Sequence, residues 1–411
     1  MKHKHYPRIN DMANPVHEYS LAMFKLNASS FLESFRPVYL VTKNLHIHFE
    51  TINFRLQTVE RTLLDQFRFI LSVVLDGYLV SVGCRNSSGY LQLTDSMLIN
   101  SGCYVSVVSL YLSLKENISL PLWNRYKAAE MFEVFRTISD CDRNLEVLGA
   151  VVDHRKHLVT NTISLGTMVM FILAILGIVG YIRFTVYWKH FEPILPDDAS
   201  TVAVLRTFIT LHFFVCYCSL ILWSIRERFL ILQQVIVRLP KAEAAQPLIQ
   251  IIAEAHDQLC DTVQLFNRYY SGHIMYLMVV AFTYSIFCVF GLIHSYASNA
   301  NAITMRVSWN SMIYDMGYLQ IILQPIVLSS LVYRACRRTS ILISKDICYR
   351  PYEKRTMKEL RIMFQQMYHR KTKISNEVVE LDWVLLYTMA GSFTTYLVIL
   401  FQFDLANFNG L

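Results

Sequence analysis

The sequence predicts an all-helical membrane protein with seven transmembrane helices, its N-terminus cytoplasmic and its C-terminus extracellular. Three observations carry this: an apolar composition, seven runs of membrane-crossing length, and a one-sided distribution of Lys and Arg. Of 411 residues, 54% are hydrophobic and 17% charged, whereas soluble chains average roughly 45–50% and about 25%. Phe and Tyr number 25 and 24, against 13 Gly and 10 Pro, which excludes a disordered, collagen-like or highly charged coiled-coil chain. The nine cysteines are odd in number and fall mostly in apolar runs, with no CxxC pair. That pattern argues against a secreted disulfide framework and against zinc. The polar start, residues 1–20, has no apolar core of a signal peptide, so the first span is expected to direct insertion.

Crossing a hydrocarbon core of about 30 Å takes about 20 apolar residues. Such runs occur at 66–84, 93–114, 162–183, 203–224, 273–295, 312–333 and 383–403. The first two carry Asp76 and Asp95, so they are expected to pack against other helices or line an aqueous cavity rather than face lipid. The spans divide the chain into an N-terminal segment 1–65, a transmembrane region 66–333 with long loops at 115–161 and 225–272, a segment 334–382, a last span 383–403 and a tail 404–411.

Charge sets the orientation. Segments 1–65, 115–161, 225–272 and 334–382 hold 32 of the 38 Lys and Arg, whereas the opposite side holds only Arg85, Lys189 and Arg306. The basic side is the cytoplasmic one. A G-protein-coupled receptor has the reverse orientation; Asp142-Arg143 resembles that class only superficially, and the last span lacks Asn-Pro-x-x-Tyr. Two inner loops carry helical stripes, one through Leu248, Ile251, Ile252, Ala255, Leu259, Val263 and Phe266, the other through Met357, Leu360, Met363, Phe364 and Met367. These predict extensions of the spans packed together beneath the membrane, with helices lying on the inner leaflet as the alternative. The basic runs at 334–338 and 370–373 read as juxtamembrane anchors to lipid, not as nucleic-acid sites.

No catalytic constellation, cofactor motif or metal-ligand spacing is present in the sequence, so no enzyme, no cofactor and no metal site are expected. The pairs His3/His5, His46/His48 and His154/His157 read as solvated or interfacial, and Cys216/Cys218 as packed thiols. A secondary transporter would show paired broken helices in two repeated halves; Pro325 could kink the sixth span, and nothing in the first half mirrors it.

The last span ends Thr395-Tyr396, five apolar residues, then Gln402-Phe403, eight residues from the C-terminus. This run, with Leu381-Asp382-Trp383 through Gly391 before it, resembles the C-terminal signature of the insect gustatory receptor family. The resemblance implies a tetrameric ligand-gated cation channel, related in fold to insect olfactory receptors. Its seventh helices would line the pore, its inner extensions would form a cytosolic anchor, and Gln402 and Phe403 would form the outer gate. A ring of Phe side chains makes a hydrophobic constriction, and a neighbouring Gln offers polar groups when the helix turns. On spacing alone, Gln402 at headgroup depth and Phe403 in an aromatic belt fit equally well. Thr395 and Tyr396, two turns inward, are expected to pack or hydrogen-bond to neighbouring helices rather than touch permeant ions.

A ligand pocket would open outward among the earlier spans. The topology places Asp95 and Asn100, Tyr181, His212, His294, and then Tyr314, Asp315, Tyr318 and Gln320 in their outer halves. Tyr314 and Tyr318 share a helix face with Asp315 on its flank; Gln320 points elsewhere and pairs better with Gln324. Each is a candidate ligand contact or a structural hydrogen-bond partner between helices. Leu397 stands where the family's sugar-receptor branch has an acidic residue, which leaves the larger group that includes many bitter receptors along with fructose-responsive members. Asn86-Ser87-Ser88 is the one outward sequon, two residues past the first span; Asn27 and Asn117 fall inside. The resulting expectation is a plasma-membrane receptor of chemosensory neurons, gated by a small-molecule tastant and assembled with subunits of its own kind or co-receptors. A seven-span receptor signalling through cytosolic partners is the alternative, and a secondary transporter the next.

Overall fold

The computed structural model describes residues 28–53, 58–86, 119–120, 122–190, 198–238, 245–297, 302–349, 353–370, 372–376 and 378–408. The predicted span 93–114 lies outside them, and with it Asp95, Asn100 and the sequons at Asn27 and Asn117. The other six predicted spans each fall within one helix: α2 (Leu63–Asn86), α4 (His154–His190), α5 (Asp198–Val237), α7 (Gly272–Ala297), α8 (Ala302–Tyr349) and α10 (Trp383–Phe408). Between and before them come α1 (Phe31–Asn44), a hairpin of β1 (Thr51–Asn53) and β2 (Thr58–Glu60), α3 (Ala128–Val147), α6 (Ala245–Phe266) and α9 (Lys354–His369).

Several helices outrun the membrane. At 1.5 Å per residue, the 48 residues of α8 reach about 72 Å, more than twice the hydrocarbon thickness. Pro325 sits inside α8 without ending it. The extensions pack on one another as their stripes require. On α6, Ile252, Ala255, Leu259, Val263 and Phe266 are buried, with Leu248 and Ile251 half-buried. On α9, Leu360, Met363 and Met367 are buried against α6 and α8. A π turn, Asn267–Ser271, joins α6 to α7 and turns Tyr269, Tyr270 and Ser271 into the core.

The N-terminal segment 1–65, polar at its start, contains two elements that periodicity did not predict. Ser30 caps α1 by accepting from the Glu33 amide at 3.3 Å, and the Glu33 carboxylate returns to the Ser29 amide at 2.7 Å. Phe31, Leu32, Phe35 and Val38 then bury one face of α1 against α3, α4 and α5. Lys43 fastens α1 to the start of α2 through Asp65 at 2.9 Å.

The charged and histidine side chains find partners distant in the chain. Asp76 is buried, as a span packed on other helices requires, and its partner is Arg206 of α5, whose Nε donates at 2.6 Å and Nη2 at 3.1 Å. Asp142 does not act with Arg143. It receives both arms of Arg228 from α5 at 2.9 Å, with Arg228 wholly buried over the Phe31 ring, while Arg143 is exposed and pairs with Asp140. His154 and His157, expected to be solvated, are buried beside this pair, with His157 Nε2 3.5 Å from Arg228. His46 and His48 are half-buried as well, and His48 lies against the Tyr217 ring at 4.7 Å. Burial pushes the His48 pKa down to about 4. For Asp142, Arg228, His154 and His157 the cause is that the long segments between spans fold into a layer thick enough to enclose them. Cys216 and Cys218 are packed thiols, as expected.

Candidate functional site

α10 is the least enclosed of the described helices. Asp382 caps it by accepting from the Leu385 amide at 3.0 Å, and its neighbours are α7 and α8. No residue from Trp383 to Asp404 is buried. One face meets α7 through Phe393 on Phe282 at 6.5 Å and Phe401 on Phe290 at 5.3 Å. The other is exposed. Seven residues advance an α-helix by nearly two whole turns, to within about 20° of the starting direction. Thr395 therefore lies under Gln402 and Tyr396 under Phe403, with Val398 and Ile399 between. All six are exposed, Tyr396 at 53% and Phe403 at 60%. Thr395 bonds back to the Gly391 carbonyl at 2.9 Å, within its own helix rather than to a neighbour.

Just past Phe403, the Asp404 carboxylate accepts from Nδ1 of His294, in the last turn of α7. His294 was expected among the ligand candidates; here it ties the C-terminal end of α10 to α7. At the other end, the strap 372–376 holds the approach to α10. Asn267 of the π turn donates to the Lys373 carbonyl at 2.8 Å and accepts from the Ser375 amide at 3.3 Å, and the Leu381 amide donates to Ile374 at 2.9 Å.

The ligand candidates divide into three groups. His212, Tyr314 and Tyr318 converge around the Phe208 ring, with centroids 4.0, 5.5 and 6.2 Å away, and Phe171 of α4 and Tyr284 of α7 close the cluster. His212 Nδ1 donates to the Phe208 carbonyl at 2.6 Å. Gly317 makes the approach of α5 to α8 feasible: a Cβ there would lie 2.6 Å from Phe208 Cζ and 3.0 Å from His212 Nε2. Asp315 leaves this group and faces α7, where the Ser285 hydroxyl donates to it. Gln320 donates to Gln324, as its spacing suggested, and lies 3.6 Å from the Met168 sulfur. Tyr181 is 69% exposed, apart from all three. Asn86 is the last residue of α2.

The fold also assembles side chains that the sequence reading passed over. His256 and Cys260 of α6 meet Cys336 of α8, with one ligating atom from each within 4.8 Å of the others. No metal-ligand spacing was expected because Cys336 lies 80 residues from His256. The one local signal was the four-residue step from His256 to Cys260, a single helical turn.

A family model described as 7tm Chemosensory receptor matches residues 47–407. The chain belongs to the 7tm chemosensory receptor family. Members of this family, the insect odorant and gustatory receptors, form ligand-gated cation channels, so this chemosensory receptor is a channel-type protein and not an enzyme. The fold is shared with the insect olfactory receptor OR5 from Machilis hrabei. Its complex with eugenol matches at a TM-score of 0.65 and 15% identity, covering 90% of this chain and 99% of that one. A second structure of OR5 matches at 0.58 and 13%, covering 88% and 96%. No curated protein matches the receptor by sequence.

Proposed function

We propose that this chemosensory receptor is a gustatory-type cation channel of the plasma membrane, opened by a tastant outside the sugar class. In this reading it is a tetramer with cytoplasmic N-termini, built from copies of itself or with related co-receptor subunits. Four α10 helices line the pore, and Phe403, with Gln402 beside it, closes the outer end.

One observation supports this most: α10 leaves a stripe of six exposed residues from Thr395 to Phe403, and its main neighbours among the described elements are α7 and α8. A two-row seam with a seven-residue step is suited to packing against its own copies about an axis. Phe403 then converges on its symmetry mates as a dewetting constriction. The basic excess of the inner segments supports the orientation. The aromatic cluster around Phe208 offers stacking faces and hydrogen-bonding tips of the kind small-molecule sites use. A ligand entering there parts α5 from α8, and α8 and α7 carry the movement to α10, whose outer end is held at His294 and Asp404.

Patch recording with Phe403→Ala tests the assignment. The expected result is a raised unliganded current, carried without added nucleotide or G protein. Normal basal current and normal ligand sensitivity in a variant that reaches the surface would overturn the gate. Tags at both ends test the topology, since N-terminal labelling on intact cells contradicts it.

A further inference from the structure

The His256, Cys260 and Cys336 cluster has the dimensions of a metal site. The three side chains are 0, 1 and 4% exposed. The Cys336 sulfur lies 3.6 Å from His256 Nε2, and the Cys260 sulfur 3.9 Å from the same atom and 3.5 Å from Nδ1. Bonds of about 2.3 Å to sulfur and about 2.0 Å to imidazole nitrogen span about 3.5 Å between ligands in a tetrahedral ion and about 3.7 Å in a trigonal one. The Cys336–His256 edge therefore already has the length that one ion between them requires, and the Cys260–His256 edge is within about 0.4 Å of it.

The surroundings fit as well. The Thr372 hydroxyl donates to the Cys336 sulfur at 2.9 Å, a short contact for sulfur that suits a thiolate acceptor. Nδ1 of His256, the nitrogen turned from Cys336, has the Asp257 carboxylate 3.9 Å away. Arg370 holds that carboxylate at 3.5 Å and Asp261 at 2.9 Å. A carboxylate behind a ligating imidazole is the usual outer partner at metal sites. Two sulfurs and one nitrogen are unsuited to Mg2+ or Ca2+, which bind oxygen, and select soft thiolate-binding ions. In the proposed orientation the cluster is on the cytosolic side, where thiols stay reduced and available.

We propose that His256, Cys260 and Cys336 bind one thiolate-preferring d10 cation, Zn2+ or Cu+, with the Thr372 hydroxyl hydrogen-bonded to the ligating Cys336 sulfur, stapling α6 and α8 to the strap that leads into α10. Binding releases any proton the two sulfurs still hold, so affinity rises with pH. Thr372 is the first residue of the strap fixed by Asn267, so the ion braces the inner root of α10.

Full-length receptor, purified in detergent under reducing conditions without a polyhistidine tag, is loaded separately with Zn2+ and with Cu+ and passed over a weak chelator. The expected content is about one equivalent per chain of the preferred ion, with thermal unfolding shifted upward. Cys260→Ser, Cys336→Ser and His256→Gln each lose most of the bound ion, while Cys348→Ser, at an exposed thiol, keeps it. Co2+ loading gives a sulfur-to-cobalt charge-transfer band that Cys336→Ser abolishes. If the three variants fail to fold, the wild-type stoichiometry and cobalt band decide. The proposal is overturned by folded wild type that retains neither ion, by ion content unchanged in the variants, or by a Cys260–Cys336 disulfide in protein alkylated within cells.

Discussion

Gly317→Ala places a methyl group where α8 crosses α5. The added carbon meets Phe208 Cζ at 2.6 Å and Cε2 at 2.7 Å, whereas carbon pairs settle at about 3.5–4.0 Å. The ring must therefore retreat by about 1 Å, and it has nowhere to go: Phe208 is 1% exposed, with His212, Tyr314 and Tyr318 around it. Overpacking of this kind costs about 1–3 kcal/mol, while Ala in a helix interior gains about 1 kcal/mol over Gly. The clash should win by about 1 kcal/mol, and the sign should reverse once Phe208 is cut back. Thermal unfolding in detergent of wild type, Gly317→Ala, Phe208→Ala and the double variant closes the cycle. Gly317→Ala is expected below wild type, and the double variant at or above Phe208→Ala. Ligand response should weaken in Gly317→Ala as well, because the displaced ring fills the cluster. A Gly317→Ala midpoint at or above wild type, or no coupling between the two sites, would refute the reasoning.

Three further outcomes follow from the same structure. Asp142→Asn leaves Arg228 buried without its carboxylate and should cost about 3–5 kcal/mol, whereas Asp142→Leu with Arg228→Met should cost much less; unfolding midpoints and surface yield separate the two. Burial holds His48 neutral with its pKa near 4, below its unfolded value of about 6.5. Its contribution is thus complete above that value and lost as pH falls from about 6.5 toward about 4, and His48→Gln should flatten that part of a stability-against-pH curve. Asp404→Asn weakens the tie from His294 to the C-terminal end of α10. With about 1.5–3 kcal/mol in a charged hydrogen bond, the ligand dose–response should move toward lower concentration by about tenfold, and an unmoved curve would show that this tie takes no part in opening.

The spans were legible because their signal is local: twenty apolar residues in a row need no partner to be recognised, and six of the seven runs lie in described helices. The stripes of α6 and α9 were legible for the same reason, since a period of 3.6 residues is read within one element. What escaped was whatever depends on partners distant in the chain. Asp142 and Arg228 are 86 residues apart, Asp76 and Arg206 are 130 apart, and each half alone reads as an ordinary surface charge or an awkward intramembrane one. The histidines were misjudged on the same account, because nothing local says that loops of this length fold into a layer of their own. Among the ligand candidates, spacing placed Tyr314 and Tyr318 on one helix face and paired Gln320 with Gln324, and the structure has both. It could not show that Asp315 turns to Ser285, which belongs to another helix.

The near-absence of burial along α10 separates two kinds of damage. A substitution at Tyr396, Gln402 or Phe403 removes no core volume and leaves no cavity in its own chain, so a single subunit carrying it should fold and resist heat as the parent does. The loss would register only where chains meet. Variants in α5, which the rest of the bundle encloses, should behave in the opposite way and be lost to quality control before any current can be recorded. A mutational scan read out once by surface abundance and once by current would divide along that line, with the helix that bears the most specific sequence in the protein almost silent in the first and dominant in the second.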